Sequence, residues 1–179
     1  MNRREPSFIN NLLFRDYRFI FLVWIITSIV CGVLKYTRGS YNNFSIFKNL
    51  FWHAIHQLPL YEHYPKEYSD VTHYGVFFSS VIFPFALVPD IIGVILWVTL
   101  STWFLFYAIK RLPLSRNEHL FVYLFCVMEL FNSLASQQFN VGIAAILIFS
   151  FFLIEHKTDF WAAFFIMLGT FTKLYGIMG

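Results

Sequence analysis

The chain of 179 residues is 58% apolar, 22% aromatic and only 13% charged, with a net charge of +3. Soluble domains carry roughly a quarter charged residues, so this composition describes an integral membrane protein whose first partner is the lipid bilayer. No basic cluster alternates with aromatics on a polar surface, which excludes nucleic acid, and Cys31 and Cys126 each sit inside an apolar stretch, which argues against a disulfide framework.

Residues 17–36 form the first span: about twenty residues at ~1.5 Å each match a hydrocarbon core of ~30 Å. The run is too long for a signal-peptide core, and no small-residue cleavage pattern follows, so it stays as an anchor. A loop, 37–90, comes next. Its first part, "NNFSIFKNLFWHAIHQL", repeats Phe44, Phe47, Leu50, Phe51, Ala54, Ile55 and Leu58 at three- and four-residue spacing. Asn43, Lys48, Asn49, His53, His56 and Gln57 fall mostly on the other side, which predicts an amphipathic helix over 42–58 lying in the interface. The next part, "PLYEHYPKEYSDVTHY", gathers Glu62, His63, Lys66, Glu67, Asp70 and His73 among tyrosines and two prolines. Tyrosines at headgroup level are also an ordinary interfacial belt.

The apolar run after it, 74–89, would measure only about 24 Å as a helix, and Pro84 shortens it further, so it is short for a span. Loop charges give an independent test. If the run does not cross, Arg3, Arg4, Arg15, Arg18, Lys110, Arg111, Arg116 and Lys157 are cytoplasmic and Lys35, Arg38, Lys48 and Lys66 outside, eight against four; crossing reverses the split. The prediction is a surface-lying or re-entrant helix over 74–88 on the outer face, with Asp70 and His73 above it.

Four further spans follow, 91–109, 119–136, a slightly short 139–154, and 160–178. Glu129, Asn132 or Ser133, Ser136 and Asn140 recur at three or four residues and form one polar stripe if the third span stays helical that far. Ionisable groups at membrane depth usually face a bundle interior or a wet cavity. Lys173 lies about 20 Å into the fifth span, in its outer third, where a lysine also satisfies its charge by snorkelling. Together these residues describe a polar cavity open to the outer face of an all-α polytopic bundle. His53 and His56 have no third ligand at defined spacing, so no metal site is expected, and no nucleophile motif or phosphate-cradling glycine loop is present.

"NNFSIF", "LPLYEHYPKEYSDVTHYG", "FPFALVPD", "VILW", "SQQFN" and "TKLYGIMG", in that order and spacing, resemble the amino-terminal half of glycosyltransferase family 87. Such proteins are multispanning enzymes of the GT-C architecture: a first span, a large extracytoplasmic loop with surface helices, then a helix bundle around the site. Members are usually about twice this length, so the resemblance implies a truncated chain. It also implies inverting transfer of a sugar, hexosyl or mannosyl in type, from a polyprenyl-phosphate donor to a glycan or glycolipid acceptor. No cofactor is implied beyond that donor, and the expected place is the plasma (inner) membrane, amino terminus in the cytoplasm and site outside. Many members carry an aspartate base soon after the first span, where this chain has Asn42 and Asn43, and often a proline after the loop tyrosine, where it has Gly75 following Tyr74. On this resemblance the base falls to Asp70, then Glu67; Lys173, assisted by His73, faces the donor phosphate. Asn42, Asn43, Tyr74, Glu129, Gln138 and Asn140 then hold sugar hydroxyls or rings. The competing reading is a non-catalytic polytopic protein, a truncated remnant or transporter-like.

Overall fold

The computed structural model describes residues 16–173. Among them are seven helices and no strand: α1 Tyr17–Thr37, α2 Asn42–Ile55, α3 Phe78–Ala86, α4 Asp90–Lys110, α5 Arg116–Ser136, α6 Asn140–Glu155 and α7 Asp159–Thr172. Helices α1, α4 and α5 are each long and apolar enough to cross a membrane, while α6 and α7 are shorter apolar helices, and the whole is a helical membrane bundle.

The ends of the helices follow local chemistry. Asp16 caps α1 by accepting the Arg18 N–H at 2.9 Å, and Ser115 and Glu118 close a capping box at the start of α5. Helix α5 stops at Ser136 because Gln137 turns into the left-handed region with φ 51°. The expected polar stripe therefore breaks there: Asn140 opens α6 instead of continuing α5.

Helix α4 is the hub, packing on α1, α6, α3 and α5. Its seam with α1 is closed by small residues, as suits helices that gain no hydrophobic drive from lipid. A Cβ on Gly32 would stand 3.1 Å from the Ile95 Cα, and the Ser28 hydroxyl reaches Thr99 at 3.3 Å while donating to the Ile25 carbonyl. At one end of the hub the pair α2 and α3 packs over the start of α4. Phe44, Ile46, Phe47 and Leu50 are buried from α2, Phe78 and Ile82 from α3, and Lys48 of α2 pairs with Asp90 in the first turn of α4.

Four expectations change in detail. Helix α2 ends at Ile55, before Leu58, and α3 begins only at Phe78, leaving Tyr74 in irregular chain. At nine residues, α3 is about 14 Å long, too short to cross a ~30 Å core. His53, which periodicity assigns to the polar side of α2, is 3% exposed, because the Tyr64 and Tyr68 rings cover its imidazole while Nε2 pairs with the outward-lying Glu67. Helix α7 ends at Thr172, and Lys173 has extended backbone, φ −154°; positions 174–178 of the expected last span lie outside the described residues.

Candidate functional site

The chain between α2 and α3 would be a loose loop but for four polar clamps, and these create the site. Asn42, first residue of α2, accepts the Ser69 N–H on its Oδ1 at 2.8 Å. His53 Nε2 and Glu67 Oε2 lie 2.9 Å apart. The Tyr74 hydroxyl accepts the Phe139 N–H at 3.3 Å, and the Gly75 N–H donates to the Thr172 carbonyl at 3.3 Å. The last contact needs glycine: a Cβ on residue 75 would stand 2.3 Å from the Phe171 carbonyl oxygen. A proline there would add ring atoms and remove the donor. The departure at Gly75 is thus what lets the last turn of α7 lie on the loop and deliver Lys173 beside Tyr74.

The result is a cavity of about 150 Å³ where α2, the segment 70–74, the α5–α6 turn and the end of α7 meet. Its polar lining is Asn43, Asp70, His73, Tyr74, Gln138 and Lys173, with Ile46, Phe47 and Val71 as apolar wall. Beneath it Phe47, Tyr74, Phe78, Trp97 and Phe139 form an aromatic cluster, with neighbouring ring centres 4.4 to 5.8 Å apart. The Trp97 indole within it donates to the Gln137 carbonyl at 3.0 Å.

Each polar group has a definite state. Asp70 is exposed, and its Oδ1 accepts the neighbouring Val71 N–H at 2.8 Å. Lys173 is half-buried: Nζ donates to Asn140 Oδ1 at 3.0 Å and lies 5.2 Å from the centre of the Tyr74 ring. Asn140 in turn donates to Gln138 Oε1 at 2.7 Å, so one amide aligns both its neighbours. Burial raises the Tyr74 phenol, partly offset by the Phe139 N–H, so it stays a neutral hydroxyl. Asn43 donates to the Ser136 carbonyl at 2.6 Å. His73 stands exposed at the rim.

The remaining candidates fall elsewhere. Glu67 does not line the cavity and is occupied by His53, whose ring also lies 4.1 Å from that of Tyr64. Burial, and then the Glu67 carboxylate, push the adjacent Tyr68 phenol up to about 12, so it too remains neutral. Asn42 and Asn140 stand just behind the cavity as clamps. Glu129 is exposed on α5 between Phe125, Met128 and Phe131, themselves exposed, and takes no part in the cavity. Sequence reasoning missed two residues that organise the site, His53 and Gly75. For His53 a signal existed, since it lies three residues beyond Leu50 on the buried row of α2. For Gly75 the contact with α7 is carried by backbone atoms, which leave no pattern in the sequence.

A rim carboxylate, a wall ammonium held by an amide, and neutral donors over an aromatic floor can together hold an anion and hydroxyl-rich rings and accept one proton. Residues 72–179 match the family model of glycosyltransferase family 87, a stretch that begins just after Asp70 and includes His73, Tyr74, Gln138 and Lys173. No curated protein and no solved structure matches the chain.

Proposed function

The chain belongs to glycosyltransferase family 87, a family of membrane glycosyltransferases, and from that premise we propose that the cavity is where a sugar leaves polyprenyl phosphate for an acceptor hydroxyl. The observation that carries this reading is the meeting of Asp70 and Lys173, far apart in sequence, in one cavity lined by hydrogen-bonding amides.

The chemistry is an inverting displacement. Asp70 takes the proton of the acceptor hydroxyl as that oxygen forms its bond to the anomeric carbon, a contribution of typically ~10²–10⁴ in rate. The bond from the anomeric carbon to the phosphate oxygen breaks on the opposite side, and the pair of electrons leaves with polyprenyl phosphate. The leaving group is a stable anion and needs no acid. Lys173 meets its charge, with His73 assisting when protonated. The amides of Asn43 and Gln138 and the Tyr74 hydroxyl orient sugar hydroxyls, and the aromatic floor supports a ring face. Glu67, held by His53, is assigned to holding the loop, not to proton transfer.

In this reading the bundle has the GT-C arrangement in the plasma membrane, the amino terminus is cytoplasmic, the cavity faces out, the donor sugar is a hexose of mannosyl type, and the acceptor is a glycan or glycolipid. The eight-to-four charge split supports the orientation. Arg116→Cys should react with an impermeant thiol reagent only after the cytoplasmic side is opened; labelling in intact cells reverses the assignment. For the chemistry, the test is transfer and donor affinity measured together in Asp70→Asn. Transfer should fall by about 10²–10⁴ with donor affinity nearly unchanged. Undiminished transfer would take the base away from Asp70.

A further inference from the structure

At the end of the bundle remote from the transfer cavity, α1 begins beside the end of α4, and a second cavity of about 210 Å³ lies between them. Its walls are aromatic, from Tyr17, Phe21, Trp103, Phe106 and Tyr107, and its two charged lining residues are both cations, Arg18 and Lys110. Two more cations brace the walls: the Arg116 guanidinium lies 5.8 Å from the Tyr17 ring centre and that of Arg111 4.7 Å from the Tyr107 ring, with Arg111 also donating to the Tyr107 hydroxyl. No acid among the described residues lines the cavity; Asp16 caps α1 and Glu118 takes part in the capping box of α5. The α6–α7 turn brings Glu155, Lys157 and Asp159 to the same end of the bundle, and none of them lines the cavity.

The surroundings specify the kind of anion. A water takes ~30 Å³ of liquid, so the cavity admits a group several times larger. The rows that lead away from the two cations along the helices are apolar and exposed, Leu22 and Ile26 beyond Arg18, and Leu96, Leu100 and Trp103 beyond Lys110. A ligand with a phosphate between two cations and hydrocarbon along both adjoining rows, two chains where a polyprenyl phosphate has one, is a phospholipid. We propose that this cavity holds the headgroup phosphate of an anionic phospholipid, its acyl chains lying along the exposed flank of α1 and α4. Basic pockets between helix ends select such headgroups, with each lysine or arginine worth about fivefold near an anionic surface. The site is independent of the transfer reaction and would fix the tilt and depth of the bundle in the bilayer.

The test is lipid retention by the intact chain, exchanged from detergent into vesicles of phosphatidylcholine containing a minority of phosphatidylglycerol, with the co-purifying lipid measured. The wild type should retain phosphatidylglycerol at least fivefold above its share of the vesicle. Arg18→Gln/Lys110→Gln should lose nearly all of that enrichment. Lys35→Gln/Arg38→Gln removes the same charge at the other end and should keep it. Arg18→Lys/Lys110→Arg preserves the charge and should stay within about twofold of wild type, which separates loss of the site from misfolding. Equal loss in both charge-removing pairs, or no loss in either, overturns the proposal, as does loss in the charge-preserving pair. Competition by soluble glycerol phosphate as effective as that by the lipid would make the occupant a soluble anion and overturn it too.

Discussion

The loop that carries Asp70 and the helix that carries Glu129 both set acids into an apolar chain, yet the fold treats them oppositely. The loop has no regular structure between Ile55 and Phe78 apart from turns, and it is clamped by Asn42, His53, Tyr74 and Gly75 to α2, the α5–α6 turn and α7. Helix α5 is regular throughout, but its middle presents Phe125 at 76% and Met128 at 77% exposure, with Glu129 exposed beside them. An irregular segment pinned by specific hydrogen bonds holds its acid in place better than a regular helix on which the acid stands exposed among exposed apolar side chains. Regularity of backbone and definition of a site are separate properties here.

Substitutions can break or sharpen that contrast. The largest effect is expected from Gly75→Pro, which removes the donor to Thr172 and places ring atoms against the Phe171 carbonyl. Loss of roughly 3 kcal/mol or more in thermal unfolding, together with loss of donor binding, is the expected outcome. Gly75→Ala should follow at about 1–3 kcal/mol, since its Cβ alone overlaps the same oxygen. A neutral result for either would mean that α7 does not rest on the loop.

His53→Ala should cost about 2 kcal/mol, from the emptied volume and the lost partner of Glu67. Because the clamp holds the chain leading to Asp70, transfer should fall with stability. Asn42→Ala removes one hydrogen bond to an exposed segment and should cost about 1 kcal/mol, while Asn42→Asp keeps the acceptor for the Ser69 N–H and should restore it. Equal loss in both would contradict the clamp. At the small end, Glu129→Gln should leave transfer unchanged and stability within about 0.5 kcal/mol. A large loss of transfer would bring α5 back into the site.

The same contrast explains what could be read from sequence. Apolar runs of membrane length mark α1, α4 and α5 to within a few residues, because hydrocarbon thickness sets their length. The gathering of Asp70, His73 and Tyr74 with Gln138 and Lys173 in one cavity matches what the family resemblance implies, whereas residue patterns alone place Asp70 and His73 only on the outer face and Lys173 only near it. Periodicity says which residues share a face but not what covers that face, and so it grouped Glu129 with Ser136 and Asn140. It could not foresee that Gln137 would enter the left-handed region and end the helix between them. Nor could it separate Glu67 from Asp70, three residues away, because that depended on His53 being buried beneath the loop.

The central claim is that this cavity binds the donor phosphate through Lys173, and donor affinity in two variants tests it most directly. A charge-assisted contact to phosphate is worth about 1.5–3 kcal/mol, whereas a lysine that merely snorkels needs only a long stem with a polar head. Measured at one salt concentration, Lys173→Gln should bind the polyprenyl-phosphate sugar at least tenfold more weakly than wild type, and Lys173→Arg should lose less. Equal affinity in wild type and Lys173→Gln would contradict the account and leave the phosphate without its cation in this cavity.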